Sequence, residues 1–330
     1  MRPRHRSGSK SLPQSSRLKV AVLMGGISRE RDISILSGTC VADALKQSGV
    51  NVVVADIKPD HLDILDDHSI NVFFVALHGR FGEDGQLQNI LESKGLVYTG
   101  SSPQASKLAF DKWESKKHFT EAGIATPDAI LFEPGAKVHR IEEQIRRLGQ
   151  KYVIKPLREG STFGISIVDD PKLVAETAEK CFQEFGDCMI ESFIKGKELT
   201  VGVLGKEALP IIEIRPWAGF YDYHAKYIDD KTEYLFDTID NPDLAARIQK
   251  SAIDCFNALG CRSAARVDFI LSDDGTPYVL EINTIPGMTS HSLLPKAAAK
   301  AGISMSRLCM RMIEMALADA DIGATAVRRR

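Results

Sequence analysis

Short apolar runs alternate with helical patterns along most of the chain, and this alternation constrains the fold more than any other feature. Residues 19–24 form such a run, a helical pattern that ends at Gly49 follows, and residues 50–57 and 72–77 repeat the strand signal. Alternating strands and helices are typical of α/β proteins. Because 330 residues exceed what one hydrophobic core supports, we expect two or three domains.

The middle of the chain follows a different pattern. Ser102 and Pro103 predict the start of a helix, and we expect that helix to end at Gly123. Further on we predict helices over residues 139–148, 171–185 and 243–259, a closing helix around Met305, Leu308 and Met312, and strands over residues 152–156, 188–193 and 198–204. The tripeptide Gly-Lys-Glu is expected to be the turn between the last two of these strands. The pattern in this region indicates a small α+β unit inserted between two larger parts of the chain.

The composition excludes several classes of protein. With 44% hydrophobic and 26% charged residues, the chain is that of a soluble globular protein, and a net charge of -2 gives no reason to expect nucleic acid or a membrane as a partner. The sequence has no apolar stretch of about 18 residues and no signal-peptide core, so we expect a cytoplasmic protein. Residues 1–17 are basic and rich in Ser and Pro, which favours a disordered tail over an interaction arm.

The six cysteines occur without a Cys-x-x-Cys pair, and several lie at apolar helix positions. We predict that they are reduced core residues rather than metal ligands. They are Cys40, Cys181, Cys188, Cys255, Cys261 and Cys309.

One predicted hairpin, RVDFILSDDGTPYVLEINTIPGM at residues 266–288, carries polar side chains inside two otherwise apolar strands. Because side chains alternate between faces, Arg266 and Asp268 share one face of the first strand. By the same rule Val279, Glu281 and Asn283 share one face of the second. In the simplest register Asp268 then lies beside Glu281 and Asn283.

Two carboxylates and an amide on one half-buried face suggest a bound cation, because the carboxylates otherwise repel each other. Hard oxygen ligands suit Mg²⁺, which takes its remaining ligands from water and substrate phosphates. The alternative is a strand that faces water and solvates its charges. The hairpin alone leaves both interpretations open.

A second candidate site begins at Lys155, which ends a buried strand just before the sequence REGSTFG. Burying a lysine is costly without an anion, and Gly160 and Gly164 let backbone amides approach phosphates closely. This signal is weak by itself. Neither of the common Gly-rich nucleotide motifs, G-x-G-x-x-G and G-x-x-x-x-G-K-[ST], is present.

With its neighbours, the hairpin resembles the final domain of the D-alanine–D-alanine ligases, enzymes of the ATP-grasp fold. The similarity rests on ARVDF and LEINTIPGMTSHSLLP, and it continues in family order through GGISRERDIS, LHGRFGEDG, YTGSS, DK, VIKPLREGSTFG, IESFIKGKELTVGVL and FYDYHAKY. It extends from about residue 18 to residue 317.

The resemblance implies an α/β (α+β) protein of ATP-grasp architecture. It implies a basic tail over residues 1–17, an N-terminal α/β substrate domain over 18–110, a central lid over 111–196, a C-terminal ATP, Mg²⁺ and substrate domain over 197–320, and a frayed tail over 321–330. The implied activity is the ATP-dependent ligation of two D-alanine molecules through a D-alanyl phosphate, for peptidoglycan precursor synthesis. The family is commonly dimeric, so a homodimer is implied as well.

The resemblance also assigns site residues. For ATP it implies Lys112, Lys155, Ser161, Glu191, Phe193, Ile194, Glu198, Phe220 and Lys226. For two Mg²⁺ ions, with Mn²⁺ as a substitute, it implies Asp268, Glu281 and Asn283. For D-alanine it implies Glu30, linked through Ser161 and Tyr227, together with His78, Ser292, Leu293 and Lys226; Arg266 and the backbone N–H of Gly287 are implied as donors to the tetrahedral oxyanion.

Each assignment has a structural alternative. Glu30 has the position of an acid that satisfies a helix dipole, and His78 that of a structural histidine. Phe193 and Ile194 have the character of core residues, and Glu191 and Glu198 that of solvated surface acids.

For the second substrate the resemblance implies D-alanine, because in this family Tyr at the place of Tyr227 accompanies D-alanine and Phe accompanies D-lactate; the alternative is a loop tyrosine without a role in specificity. The chain departs from the family pattern at Asn89, His224, Asp237 and residues 263–265, which puts loop conformation and substrate affinity in question. Two alternatives remain: a ligase that uses D-lactate or D-serine, and a non-catalytic nucleotide-binding relative.

Overall fold

The computed structural model describes residues 18–135, 137–217 and 231–327, with side chains to residue 321. The predicted basic tail therefore lies outside the described residues. The described strands form three sheets that follow one another along the chain.

The first sheet and its helices contain β1 (Lys19–Gly25), α1 (Arg31–Gln47), β2 (Asn51–Ile57), β3 (Val72–Val75) and α2 (Gln86–Ser93). The strands are parallel in the order β2-β1-β3, as the alternating pattern predicts. The apolar side chains of β1 are almost wholly buried because both faces of the sheet are covered: Val20 and Val22 lie in one core, and Ala21 and Leu23 lie in another. Helix α2 is not among the predicted elements; Leu87, Ile90 and Leu91 have helical spacing, but its eight residues make only about two turns.

Two helices then lead to the second sheet, α3 (Pro103–Phe110) and α4 (Lys112–Glu121). We predict one helix here, and this is wrong. Asp111 adopts an extended conformation, and its side chain accepts hydrogen bonds from the backbone N–H groups of Trp113 and Glu114. It thereby ends one helix and caps the next.

The second sheet is antiparallel. It contains β4 (Ala129–Leu131), α5 (Val138–Ile145), β5 (Tyr152–Pro156), β6 (Ser166–Val168), α6 (Pro171–Phe185) and β7 (Cys188–Ser192). The strand order is β4-β7-β5-β6, and both helices pack on one core with it. This matches the predicted small α+β unit.

The third sheet contains β8 (Gly196–Leu204), β9 (Glu207–Ala208), β10 (Ile212–Arg215), β11 (Glu233–Leu235), β12 (Ala264–Ser272) and β13 (Pro277–Asn283). Its order is β11-β10-β8-β12-β13, with β9 beside β8. Its helices are α7 (Pro242–Ala258), α8 (Leu293–Lys300) and α9 (Met305–Val327). The predicted Gly-Lys-Glu turn is wrong, because Gly196 and Lys197 pair with Ser272 and Leu271 and extend β8.

The closing helix α9 packs against α1, so the C-terminal and N-terminal parts of the chain share one core. Leu308 and Met312 share a core with Val41 and Leu45 of α1, and the Ser306 hydroxyl donates to the Ala44 carbonyl at 2.9 Å. The helix continues to Val327, past the predicted start of a frayed tail at residue 321.

Four of the six cysteines are buried, two are partly buried, and all six are free thiols, as predicted. Among the described residues no cluster of three His, Cys, Asp or Glu side chains is arranged to hold a metal ion. None of the described helices is both long and apolar enough to span a membrane.

Candidate active site

Strands β12 and β13 bring the polar residues of the predicted hairpin together. Asp268 pairs directly with Glu281, and Arg266 pairs with Asn283. Arg266 and Asp268 are half-buried on one face, whereas Val267 and Phe269 are fully buried on the other. The predicted convergence is therefore present.

A β-bulge corrects one part of this prediction. The register shifts between Asp268 and Phe269, so Val279 pairs with Phe269 rather than continuing the face of Glu281. Val279 is fully buried in the apolar core beside Phe269. The extra residue, Leu280, breaks the alternation on which the prediction relied.

Both carboxylates of the hairpin face positive charge. Arg266 donates two hydrogen bonds to Asp268, from Nε to Oδ1 and from Nη2 to Oδ2, each at 2.9 Å, and Thr200 donates to the same Oδ1 at 2.6 Å. The Nζ of Lys112 lies 3.1 Å from Oε2 of Glu281. The two acids are thus held apart and oriented by separate cations.

A cleft of about 590 Å³ lies between the second and third sheets. This volume is within the usual range for small-molecule sites, about 300–1,000 Å³. The predicted ATP residues Lys112, Lys155, Glu191, Phe193, Ile194 and Glu198 all line it, as do Asp268 and Glu281. These residues are far apart in the sequence but lie close together in the structure, because strands β5, β7 and β12 all border this cleft.

Inside the cleft, Lys155 is not left as an unpaired buried charge. Its Nζ lies 2.5 Å from Oε2 of Glu191, and the Nζ of Lys116 lies 2.6 Å from Oε1 of the same carboxylate. All three side chains are buried. Burial lowers the pKa of Lys116 from 10.5 to about 8, although the charge of Glu191 opposes this.

The loop after β5 reaches across to the N-terminal part of the chain. The Ser161 hydroxyl donates to Oε1 of Glu30, and both residues are buried. Ser161 and Thr162 have φ values of 49° and 67°, an uncommon backbone conformation for residues other than glycine. A Cβ at Gly160 would lie 2.7 Å from Oε2 of Glu30, so a larger residue here would displace the Glu30 carboxylate.

A second, smaller cavity adjoins the cleft. The predicted residues Glu30, Ser161, Arg266, Asn283, Gly287, Ser292 and Leu293 line it. Lys112 and Glu281 line both spaces and so mark their junction. A Cβ at Gly287 would lie 2.6 Å from the Ser292 hydroxyl, which shows how closely this wall is packed.

His78 does not line either space. It is 4% exposed, with Nε2 3.1 Å from the Ser37 hydroxyl and Nδ1 3.8 Å from Oε1 of Glu83, a residue that does line the smaller cavity. Burial opposes protonation, but the neighbouring carboxylates of Glu83 and Glu30 outweigh it and raise the pKa of His78. The predicted contact of His78 with the first substrate stays a prediction, because His78 reaches the smaller cavity only through its neighbour Glu83.

Three predicted residues, Phe220, Lys226 and Tyr227, lie outside the described residues, as does His224. Conversely, Lys116, Thr200 and Glu83 are in or behind the site and are not predicted. Lys116 could have been found from the sequence, because it lies four residues after Lys112 and therefore on the same face of α4.

A family model described as D-ala D-ala ligase C-terminus matches residues 119–314. The chain belongs to the D-alanine–D-alanine ligase family. It is 45% identical over 295 residues to a D-alanine–D-alanine ligase of Syntrophotalea carbinolica, covering 89% of this chain and 95% of that relative. The predicted family and ATP-grasp fold class are confirmed.

Solved structures support the same conclusion. The D-alanine–D-alanine ligase of Bacillus anthracis complexed with ATP matches with a TM-score of 0.81 at 36% identity, covering 94% of this chain and 100% of that one. The D-Ala:D-Ser ligase VanG of Enterococcus faecalis matches with a TM-score of 0.78 at 27% identity, covering 91% and 99%. The overall fold therefore does not distinguish the second substrate.

Proposed function

We propose that this chain is an ATP-dependent ligase that joins two D-alanine molecules into D-alanyl-D-alanine, with ADP and phosphate as products, for peptidoglycan precursor synthesis. The observation that carries the proposal is the junction of two spaces at Lys112 and Glu281. A nucleotide in the larger cleft directs its terminal phosphate towards a small substrate in the other. Family membership supports the reaction and the substrate.

The hairpin residues fit a divalent cation. Asp268 and Glu281 are cross-strand neighbours on the cleft, and the Asn283 amide oxygen lies on the adjoining cavity wall. Asn283 Oδ1 accepts one hydrogen bond from the Ile285 N–H at 2.9 Å and has a second lone pair available. We propose that these three residues hold two Mg²⁺ ions, or Mn²⁺ in their place, which would neutralise phosphate charge when bound.

We propose the following roles for the protein groups in the first step. Lys155 and Lys112 hold the ATP phosphates, and Ser161 closes the loop over them while its hydroxyl fixes Glu30. Glu30 binds the ammonium of the first D-alanine, so the D-alanine carboxylate faces the γ-phosphorus. The carboxylate oxygen attacks phosphorus, ADP leaves, and an acyl phosphate forms.

In the second step, the uncharged amine of another D-alanine attacks the acyl carbon, the C–O bond to phosphate breaks, and the departing phosphate takes up the proton that the amine loses. Arg266 and the Gly287 N–H stabilise the oxyanion, and removing one such donor typically lowers the rate about 10²- to 10³-fold. Ser292 and Leu293, at the start of α8, hold the carboxylate of this D-alanine. The buried position of Ser161 supports exclusion of water, which would otherwise hydrolyse the acyl phosphate.

The test is to incubate the protein with ATP, MgCl₂ and D-alanine and to identify the product by mass spectrometry. The proposal expects D-alanyl-D-alanine and an equal amount of ADP. Parallel reactions that add D-serine or D-lactate distinguish the alternative second substrates. ADP release that does not depend on any of these compounds would contradict the proposal.

A homodimer and a cytoplasmic location are proposed on the basis of the family alone. Light scattering of the purified chain tests the first, since a monomer mass at assay concentrations would contradict it. Fractionation of the source cells tests the second.

A further inference from the structure

The strongest feature without an assigned role is Lys116, which with Lys155 holds the Glu191 carboxylate between two buried lysines. Lys155 contacts one oxygen and Lys116 contacts the other, at 2.5 and 2.6 Å. The side chains of Lys116, Lys155 and Glu191 are 8%, 5% and 2% exposed. Only one of the two lysines, Lys155, lines the nucleotide cleft; Lys116 lines a separate groove behind it.

The ammonium of Lys116 has two further partners besides its ion pair with Glu191. It donates to the Thr126 hydroxyl and to the Pro127 carbonyl, both at 2.6 Å. The Thr126 hydroxyl in turn donates to the Val279 carbonyl at 2.9 Å. Lys116 therefore connects β7, which carries Glu191, to β13, which carries Glu281.

Binding of a nucleotide changes the charge balance around Glu191. Phosphates entering the cleft attract Lys155, which then shares or leaves its contact with the carboxylate. Without a second cation, Glu191 would be a buried anion facing a polyanion, and this is strongly unfavourable. Lys116 is placed to prevent this, because it is on the side of Glu191 away from the cleft.

We propose that Lys116 is a positioning residue for nucleotide binding: its ammonium holds the Glu191 carboxylate in place from behind, so that Lys155 is released to the phosphates. The inference rests on the proposed function only in that the cleft takes a nucleotide. It concerns binding and not the identity of the amino-acid substrates. Lys116 itself does not touch the nucleotide.

The test compares Lys116→Met with Lys117→Met. Lys117 is the next residue of α4, is 49% exposed, and pairs only with Glu114 within its own helix among the described contacts, so it is a matched control. Binding of Mg-ADP is measured by calorimetry without D-alanine. We expect the affinity of Lys116→Met to fall about 10- to 100-fold, the range for a lost hydrogen bond to a charged group, and that of Lys117→Met to stay within twofold of wild type.

The pH dependence separates positioning from general structural support. Lys116 faces Glu191 and Lys155 and is close enough to Asp128 to feel its charge, and its pKa of about 8 means that it loses its proton as the pH rises through that value. Wild-type affinity for Mg-ADP should therefore decrease above about pH 8 and approach that of Lys116→Met, which shows no such transition. Identical profiles for the two proteins would overturn the inference.

Thr126→Val provides a second variant in case Lys116→Met does not fold. It is nearly isosteric and removes one of the three Lys116 partners, so we expect a smaller loss of Mg-ADP affinity, with the KM for D-alanine unchanged. Unchanged Mg-ADP affinity in a folded Thr126→Val would overturn the inference. A wild-type protein that binds Mg-ADP but makes no dipeptide refutes the proposed function alone, whereas one that binds no nucleotide refutes both.

Discussion

Replacing Glu281 with Gln separates catalysis from stability at the junction of the two spaces. Glu281 lies 3.1 Å from Lys112, and their side chains are 29% and 9% exposed. A partly exposed pair of this kind contributes roughly 0.2–1 kcal/mol to the free energy of unfolding. Lys112 also keeps its hydrogen bond to the Glu159 carbonyl at 2.6 Å. We therefore expect the melting temperature to fall by no more than about 4 °C.

The effect on activity should be far larger. The substitution keeps the shape of the side chain but removes the charge proposed to be shared between the metal ions. Losing one charge-stabilising group of this kind typically lowers kcat about 10²- to 10³-fold. The assay follows ADP release with saturating D-alanine over a series of MgCl₂ concentrations, and the variant should also require more Mg²⁺.

Asp273→Asn is the control for this experiment. It makes the same change of charge at the tip of the same hairpin, where the side chain is 78% exposed. It should behave as wild type. If Glu281→Gln retained wild-type kcat and the same dependence on Mg²⁺, the proposed metal site would be refuted.

Three further outcomes are expected. Gly287→Ala places a Cβ 2.6 Å from the Ser292 hydroxyl, so the KM for D-alanine should rise several-fold while the KM for ATP is unchanged; equal effects on both would contradict the assigned wall. The pKa of His78 is raised above its ordinary 6.5 in the folded protein. Protonated His78 therefore stabilises the fold fully below pH 6.5, and this stabilisation is lost as the pH rises through the folded-state pKa. Urea unfolding at several pH values should show the loss in wild type and not in His78→Gln. The Arg29 guanidinium lies 5.8 Å from the Phe163 ring and 5.1 Å from the Phe185 ring, so Arg29→Ala should increase hydrogen exchange in the loop after β5, and unchanged exchange would show that these contacts do not hold the loop.

The fold class and most strands follow from local patterns in the sequence. The hairpin at β12 and β13 is predicted because two apolar runs flank a turn rich in Asp and Gly, although the bulge at Leu280 is not. The break at Asp111 is missed because the prediction relied on the start signal at Ser102 and Pro103 and the stop signal at Gly123, and Asp111 lies between them. The pairing of Gly196 and Lys197 is missed because it depends on β12, which lies about 70 residues further along the chain.

Some residues of the candidate site can likewise be predicted from the sequence, and others cannot. Asp268, Glu281 and Asn283 are recognisable because polar residues stand out in apolar strands. Lys116 and Thr200 are not, since a lysine on a polar helix and a threonine in a strand are ordinary choices. Their significance appears only when β7, β8 and α4 are packed together and their side chains meet buried carboxylates.

The transfer of oxygen-18 from D-alanine tests the central claim most directly. D-alanine labelled in its carboxylate is ligated with unlabelled ATP, and the inorganic phosphate released is examined by mass spectrometry. If the carboxylate attacks the γ-phosphorus where the two spaces meet, one labelled oxygen appears in the phosphate for each dipeptide formed. Dipeptide accompanied by unlabelled phosphate would contradict the account.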